Sequence, residues 1–102
     1  MRYDPPLGSP RAGLVTASLY LPGCGSLKGK RSRLRRLLRD MWDLRISAAE
    51  VGMGDRTDAA VIACAVVSSD WSQTEKQLRR ALQLLHANPE VEVVDSRTER
   101  LI

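Results

Sequence analysis

Phenylalanine is absent from these 102 residues, and two Trp and two Tyr hold the aromatic content to 4%. A core must therefore be built from Leu, Val, Ile and Ala, and stacking chemistry has few side chains to use. Cys24 and Cys64 are too few and too far apart for a disulfide framework or a zinc ribbon, so two free thiols are expected. The one histidine, His86, has no cysteine at ligand spacing, and no metal or other cofactor is indicated. No apolar run reaches the roughly 18 to 20 residues that a bilayer span needs, and the N-terminus lacks a charged-then-apolar signal pattern. These absences predict a soluble, cytoplasmic protein without membrane partners.

Acid is missing from one place in particular. Between positions 28 and 39 stand seven of the sixteen Lys and Arg residues, Lys28, Lys30, Arg31, Arg33, Arg35, Arg36 and Arg39, with no Asp or Glu among them. That window carries about +7, while the rest of the chain, nine bases against twelve acids, carries about −3. The molecule is polarised and not uniformly basic. At 43% apolar residues, a chain of this length suits one domain with a modest core.

Residues 1–13 hold three prolines and no periodicity, and read as a flexible tail ahead of a single domain over 14–102. From Leu14 to Leu21, Val15, Ala17, Leu19 and Leu21 alternate with Thr16, Ser18 and Tyr20, the pattern of a half-buried strand ended by Pro22-Gly23. A helix follows over about Leu27 to Trp42, with Leu27, Leu34, Leu37, Leu38 and Met41 on its apolar stripe. Lys28, Arg31, Arg35 and Arg39 line the opposite side at spacings of three, four and four, and Arg36 borders them.

Ile46 to Gly52 reads as a second strand, joined by a Gly- and Asp-containing hairpin to a third over Asp58 to Val67. In the third, Ala60, Ile62, Cys64 and Val66 alternate with the equally apolar Ala59, Val61, Ala63, Ala65 and Val67. Such a strand sits centrally in a sheet whose outer face is also covered, and a second subunit would cover it. Ser68-Ser69-Asp70, with a capping box at Ser72-x-x-Glu75, opens a second helix whose buried face carries Trp71, Leu78, Leu82 and Leu85. Asn88-Pro89 closes it, and Val91 to Ile102 reads as an edge strand. The order βαββαβ is that of an α+β, ferredoxin-like split βαβ fold. Two helices cover one face of a four-stranded antiparallel sheet.

Leu19-Tyr-Leu-Pro-Gly-Cys-Gly-Ser-Leu-Lys-Gly-Lys-Arg31, followed by Ile46-Ser-Ala-Ala-Glu-Val-Gly52, Val66-Val-Ser-Ser-Asp70 and Asn88-Pro-Glu-Val-Glu-Val-Val-Asp95, resembles the YlxP-like family. These are small bacterial proteins of unknown function, marked by a strand ending in Leu-Pro and then Ser-Leu-Lys-x-Lys-Arg. The resemblance covers roughly positions 14 to 102. It implies a ferredoxin-like fold and, because such proteins are commonly encoded beside translation-initiation and ribosome-maturation factors, work near the ribosome. It implies no activity and no site residues.

The basic window has two readings, a solvated helix face or a phosphate site. Its density, its lack of acids and the Gly23 to Ser26 turn, which aims backbone N–H groups at the helix N-terminus, favour an anion site. Five Arg to two Lys suits bidentate phosphate contacts. Lys28, Arg31, Arg35 and Arg39 are expected to carry the phosphates, flanked by Lys30, Arg33 and Arg36, with Gly25-Ser26 as a backbone nest. Base stacking on the sheet is disfavoured, because the third strand offers Ala, Val, Ile and Cys where aromatics are needed. Trp42, a candidate stacking residue, is expected to pack instead.

The resulting expectation is a non-catalytic, RNA-associated accessory protein, binding structured RNA or a ribosomal subunit, and dimerising through the sheet face. A homodimeric protein-interaction module without nucleic-acid binding is the alternative. An acylphosphatase-like enzyme would share the fold and a phosphate cradle at Pro22 to Arg31. It fails because the one asparagine, Asn88, lies off the sheet, where it cannot orient a water. A Cys24 nucleophile lacks a nearby partner, since His86 lies near the far end of the second helix.

Overall fold

A computed structural model describes residues 8–102 of the chain. Strand β1 (Arg11–Tyr20) leads into helix α1 (Leu27–Asp43), strands β2 (Ser47–Gly52) and β3 (Ala59–Ser68) form a hairpin, and helix α2 (Trp71–Ala87) precedes strand β4 (Glu92–Arg100). The sheet order is β2-β3-β1-β4 and every neighbouring pair is antiparallel. This is the ferredoxin-like α+β arrangement that the alternating patterns predict.

β1 and β3 stay in register from Arg11↔Ser68 to Tyr20↔Ala59. Val15, Ala17 and Leu19 therefore face the same side as their partners Cys64, Ile62 and Ala60, and all six are buried beneath the helices. Leu34, Leu37 and Met41 of α1 and Leu78, Ala81 and Leu85 of α2 close that layer. Each fully buried Leu or Ile contributes about 1.5–3 kcal/mol. Four like charges in a row cost only tenths of a kcal/mol per pair. Packing thus holds α1 in place against its own repulsion.

The expected tail, 1–13, lies outside the described residues up to position 7. Its last three residues belong to β1, which starts at Arg11 and not at Leu14. Arg11, Ala12 and Gly13 pair with Ser68, Val67 and Val66 of β3, and at Gly13 a Cβ would come within 2.5 Å of Leu78 Cδ1 and 3.2 Å of the Glu99 carbonyl oxygen. Without one, α2 and β4 close directly onto the backbone there. Thr74, fully buried on α2, donates its hydroxyl to the Arg11 carbonyl at 3.1 Å.

Both helix starts are capped. The Ser26 Oγ accepts from the Gly29 N–H at 3.0 Å, and the Asp70 carboxylate accepts from the Ser72 N–H at 2.9 Å. The Ser72–Glu75 capping box does not form, since Glu75 pairs with Arg79 one turn on. α1 ends in a Schellman motif: the Ile46 N–H bonds the Met41 carbonyl at 3.0 Å and the Arg45 N–H bonds that of Trp42 at 2.9 Å. Ile46 and Met41 make the accompanying buried apolar pair, which is why β2 begins at Ser47 and not at Ile46. The residue in the left-handed conformation at this cap is Arg45, with φ 61°, where glycine is usual.

Candidate nucleic-acid interface on the first helix

The seven bases of α1 do not act alike, because the chain supplies internal partners for three of them. Lys30 is a correction to the sequence reading. It is 2% exposed, and its Nζ donates to the Met53 carbonyl at 2.6 Å and the Arg56 carbonyl at 2.8 Å and pairs with Glu50 at 3.0 Å. All three ammonium hydrogens are used in holding the β2–β3 turn against α1. The physical reason is register: Lys30, Leu34, Leu37 and Met41 stand at spacings of four, three and four on the buried stripe. Leu27, expected on that stripe, is displaced to its edge and is exposed.

Arg33 and Arg36 are held by one acid from the loop between α2 and β4. Glu90 takes the Arg36 fork through both oxygens, at 3.0 and 2.6 Å. Arg33 lies 3.8 Å from the same carboxylate and donates to the Pro22 carbonyl at 2.7 Å and the Glu90 carbonyl at 3.1 Å. The hydrogen bonds from Arg36 hold the Glu90 carboxyl below the usual carboxylate range, and Glu90 raises Arg36 in return. Both arginines are thereby engaged within the fold, with one carboxylate between them.

Lys28, Arg31, Arg35 and Arg39 remain. All four are exposed, and none has an ion-pair or hydrogen-bond partner for its side chain among the described residues. At 1.5 Å rise per residue the row extends about 16 Å along the helix. At its N-terminal end Gly25 and Ser26 are exposed, and Gly23, at φ 68°, turns the chain into the helix. Ser26 spends its hydroxyl on the cap, so its remaining anion-facing group there is the backbone N–H. The first turn of α1 contains no acid to match the positive end of the helix dipole.

Beside this row, Arg31, Leu34, Arg35, Leu38, Trp42 and Glu50 line a groove of about 300 Å³ between α1 and the edge strand β2. Trp42 does not pack as expected: it is 52% exposed, and its indole N–H donates to the Ala48 carbonyl at 3.2 Å. Cys24, 8% exposed, directs its Sγ toward the Ser26 carbonyl at 3.5 Å. His86 is exposed in the last turn of α2.

A family model described as "Protein of unknown function (DUF503)" matches residues 12–98. The chain belongs to this family. It is 35% identical over 88 residues to "Uncharacterized protein YlxP" of Bacillus subtilis (strain 168), a match covering 85% of this chain and 96% of that protein. The DUF503 match takes in the whole of α1, Glu50, the β2–β3 turn and Glu90, so the split between engaged and free bases lies inside the family domain. No helix of the described residues is long and apolar enough to cross a membrane.

The sequence of this DUF503 chain did not reveal two participants, Glu50 and Glu90, and Trp42, weighed as a stacking residue, was expected to pack. Glu90 lies 54 positions from Arg36, and nothing local ties the two together. Lys30 was open to correction, because its spacing to Leu34, Leu37 and Met41 already placed it inward. Its charge argued otherwise.

Proposed function

We propose that the protein is a non-catalytic, RNA-associated accessory factor of the cytoplasm, acting near ribosome maturation or translation. It holds phosphates of structured RNA, in rRNA or a ribosomal subunit, through Lys28, Arg31, Arg35 and Arg39. The observation that carries this reading is the division of α1's charges. Three bases are engaged by Glu50, Glu90 and backbone carbonyls, and the four left without a partner among the described residues fall in one row on the exposed face. A solvated face formed without selection for binding has no reason to sort its partners so. Contacts of this kind read shape and phosphate spacing, with little base identity.

The test is a salt series of binding to rRNA fragments or ribosomal subunits. Four phosphate contacts at about 0.7 to 0.9 each predict a log–log slope of about −3. A folded variant with Lys28, Arg31, Arg35 and Arg39 all changed to Glu loses that binding. Equal binding by both proteins overturns the reading.

A second reading, compatible with the first, is a homodimer through the outer sheet face. It is favoured by the row Val61, Ala63, Ala65 and Val67 on the side of β3 away from the helices, with Val67 69% exposed. Light scattering of the wild type and of Ala63→Glu tests it. A dimer in the first and a monomer in the second is expected, and a monomeric wild type overturns it.

A further inference from the structure

We propose that the groove between α1 and β2 receives an unstacked nucleobase on the face of Trp42, so that the RNA held by the basic row is unpaired at that point. This rests on the RNA reading above and narrows it to RNA carrying a single-stranded loop, bulge or end.

Trp42 departs from an ordinary surface residue. An indole that is half exposed at the end of a helix loses the benefit of burial, yet this one is not free to move. Its N–H is anchored on the Ala48 carbonyl of β2 at 3.2 Å, which fixes the ring across the mouth of the groove. A ring held in one orientation binds a flat partner without the entropy cost of ordering itself. Leu34 and Leu38 form the apolar floor, and Arg31 and Arg35 form the wall toward the basic row. Arg35 and Arg39 stand seven and three positions before Trp42, so all three lie along one side of α1. An apolar floor, an anchored aromatic face and flanking guanidinium groups are the elements by which single-stranded nucleic acid is held, through stacking and backbone charge together. Duplex RNA offers no exposed base face and engages only the cations.

The groove contains one acid, Glu50, and that carboxylate is taken by Lys30. The net field at the groove therefore comes from Arg31, Arg35 and Arg39, which favours an anionic chain over a neutral or basic peptide. The groove, about 300 Å³, has room for one planar heterocycle.

The experiment labels the wild type with 5-fluorotryptophan, so that Trp42 and Trp71 give separate fluorine resonances, assigned with Trp42→Phe. Three probes are titrated at one salt concentration: a single-stranded oligoribonucleotide of about eight nucleotides, the same sequence as a duplex, and inorganic polyphosphate. The single strand is expected to shift the Trp42 resonance and leave that of Trp71 in place, while polyphosphate binds without shifting either. Trp42→Ala is expected to weaken single-strand binding roughly tenfold, the value of one stacked base, with no change in polyphosphate affinity or in salt slope. Trp42→Phe, which keeps an aromatic face but loses the bond to the Ala48 carbonyl, is expected to bind with an affinity between those of wild type and Trp42→Ala. A single strand that binds without moving Trp42, or binds Trp42→Ala as tightly as wild type, overturns the stacking site and leaves the basic row standing. A wild type that binds none of the three probes overturns both.

Discussion

Lys30 shows how one residue of a charged run acquires a role opposite to that of its neighbours. Three oxygens converge on its buried ammonium, and removing it leaves two carbonyls and a carboxylate without their donor. Losing one partner of a buried, hydrogen-bonded charge costs about 3–5 kcal/mol. Because Glu50 is one-third exposed and can rehydrate, Lys30→Met is expected to cost less than that, about 2–3 kcal/mol. The check is urea denaturation, with RNA affinity of the folded variant unchanged. Arg45 makes the converse case. Its left-handed φ of 61° costs an L-residue about 1 kcal/mol, so Arg45→Gly is expected to stabilise by roughly 0.5–1 kcal/mol, the glycine's extra chain entropy offsetting part of the gain. Cys64 is fully buried, and that burial pushes its thiol up to about 11. At pH 8 it is expected to stay silent to a thiol reagent until the protein unfolds. Rapid modification in the native state would contradict the packing of β3 against the helices.

Helix α1 is tied at both flanks by acids from elsewhere in the chain, Glu50 on β2 and Glu90 ahead of β4, and this sets how many of its charges reach outward. Glu90→Gln is expected to release Arg36, while Arg33 stays on the Pro22 and Glu90 backbone carbonyls, strengthening RNA binding and steepening the salt slope from about −3 toward about −4, as one further cation becomes available. An unchanged slope would mean that the neutral amide replacing the carboxylate still holds Arg36. The same carboxylate gives stability a pH dependence of known sign. Its folded-state value lies below its unfolded one, so its contribution is present above the ordinary carboxylate range and is lost as pH falls through the lowered value. Between neutral and acid pH, wild type should lose stability that Glu90→Gln never had. Carboxyl NMR titration of Glu90 reads the shift directly.

At this scale the elements themselves were legible in the sequence. Period-two runs marked β1 and β3, the leucine spacing marked both helices, and Asp70 and Asn88-Pro89 marked the ends of α2. What escaped were long-range pairings. Gly13 belongs to a strand because it pairs with Val66 and Arg100, more than fifty positions away. Trp42 stays out of the core for a local reason, since its spacing sets it beside Arg35 and Arg39 and away from the buried Leu34, Leu37 and Met41.

For the molecule as a whole, the free basic row and the apolar row of β3 lie on opposite sides. The buried stripe of α1 faces the sheet, so Lys28, Arg31, Arg35 and Arg39 point away from it, while Val61, Ala63, Ala65 and Val67 open in the other direction. If two copies stack sheet on sheet, as the second reading above has it, their basic rows face outward in opposite directions. Layer spacings of about 10 Å between stacked sheets and about 10–12 Å per helix then set them roughly 40 Å apart. One short hairpin cannot reach both, whereas a long RNA can. Ala63→Glu is therefore expected to leave affinity for a short hairpin unchanged while lowering affinity for a long structured RNA by about 10²-fold, through loss of the second attachment. Charge reversal of the four bases has the complementary effect, abolishing both affinities and leaving the mass by light scattering that of a dimer. Should Ala63→Glu weaken the short hairpin as much as the long RNA, the two faces are coupled through the core that separates them, and the sheet is part of the RNA site.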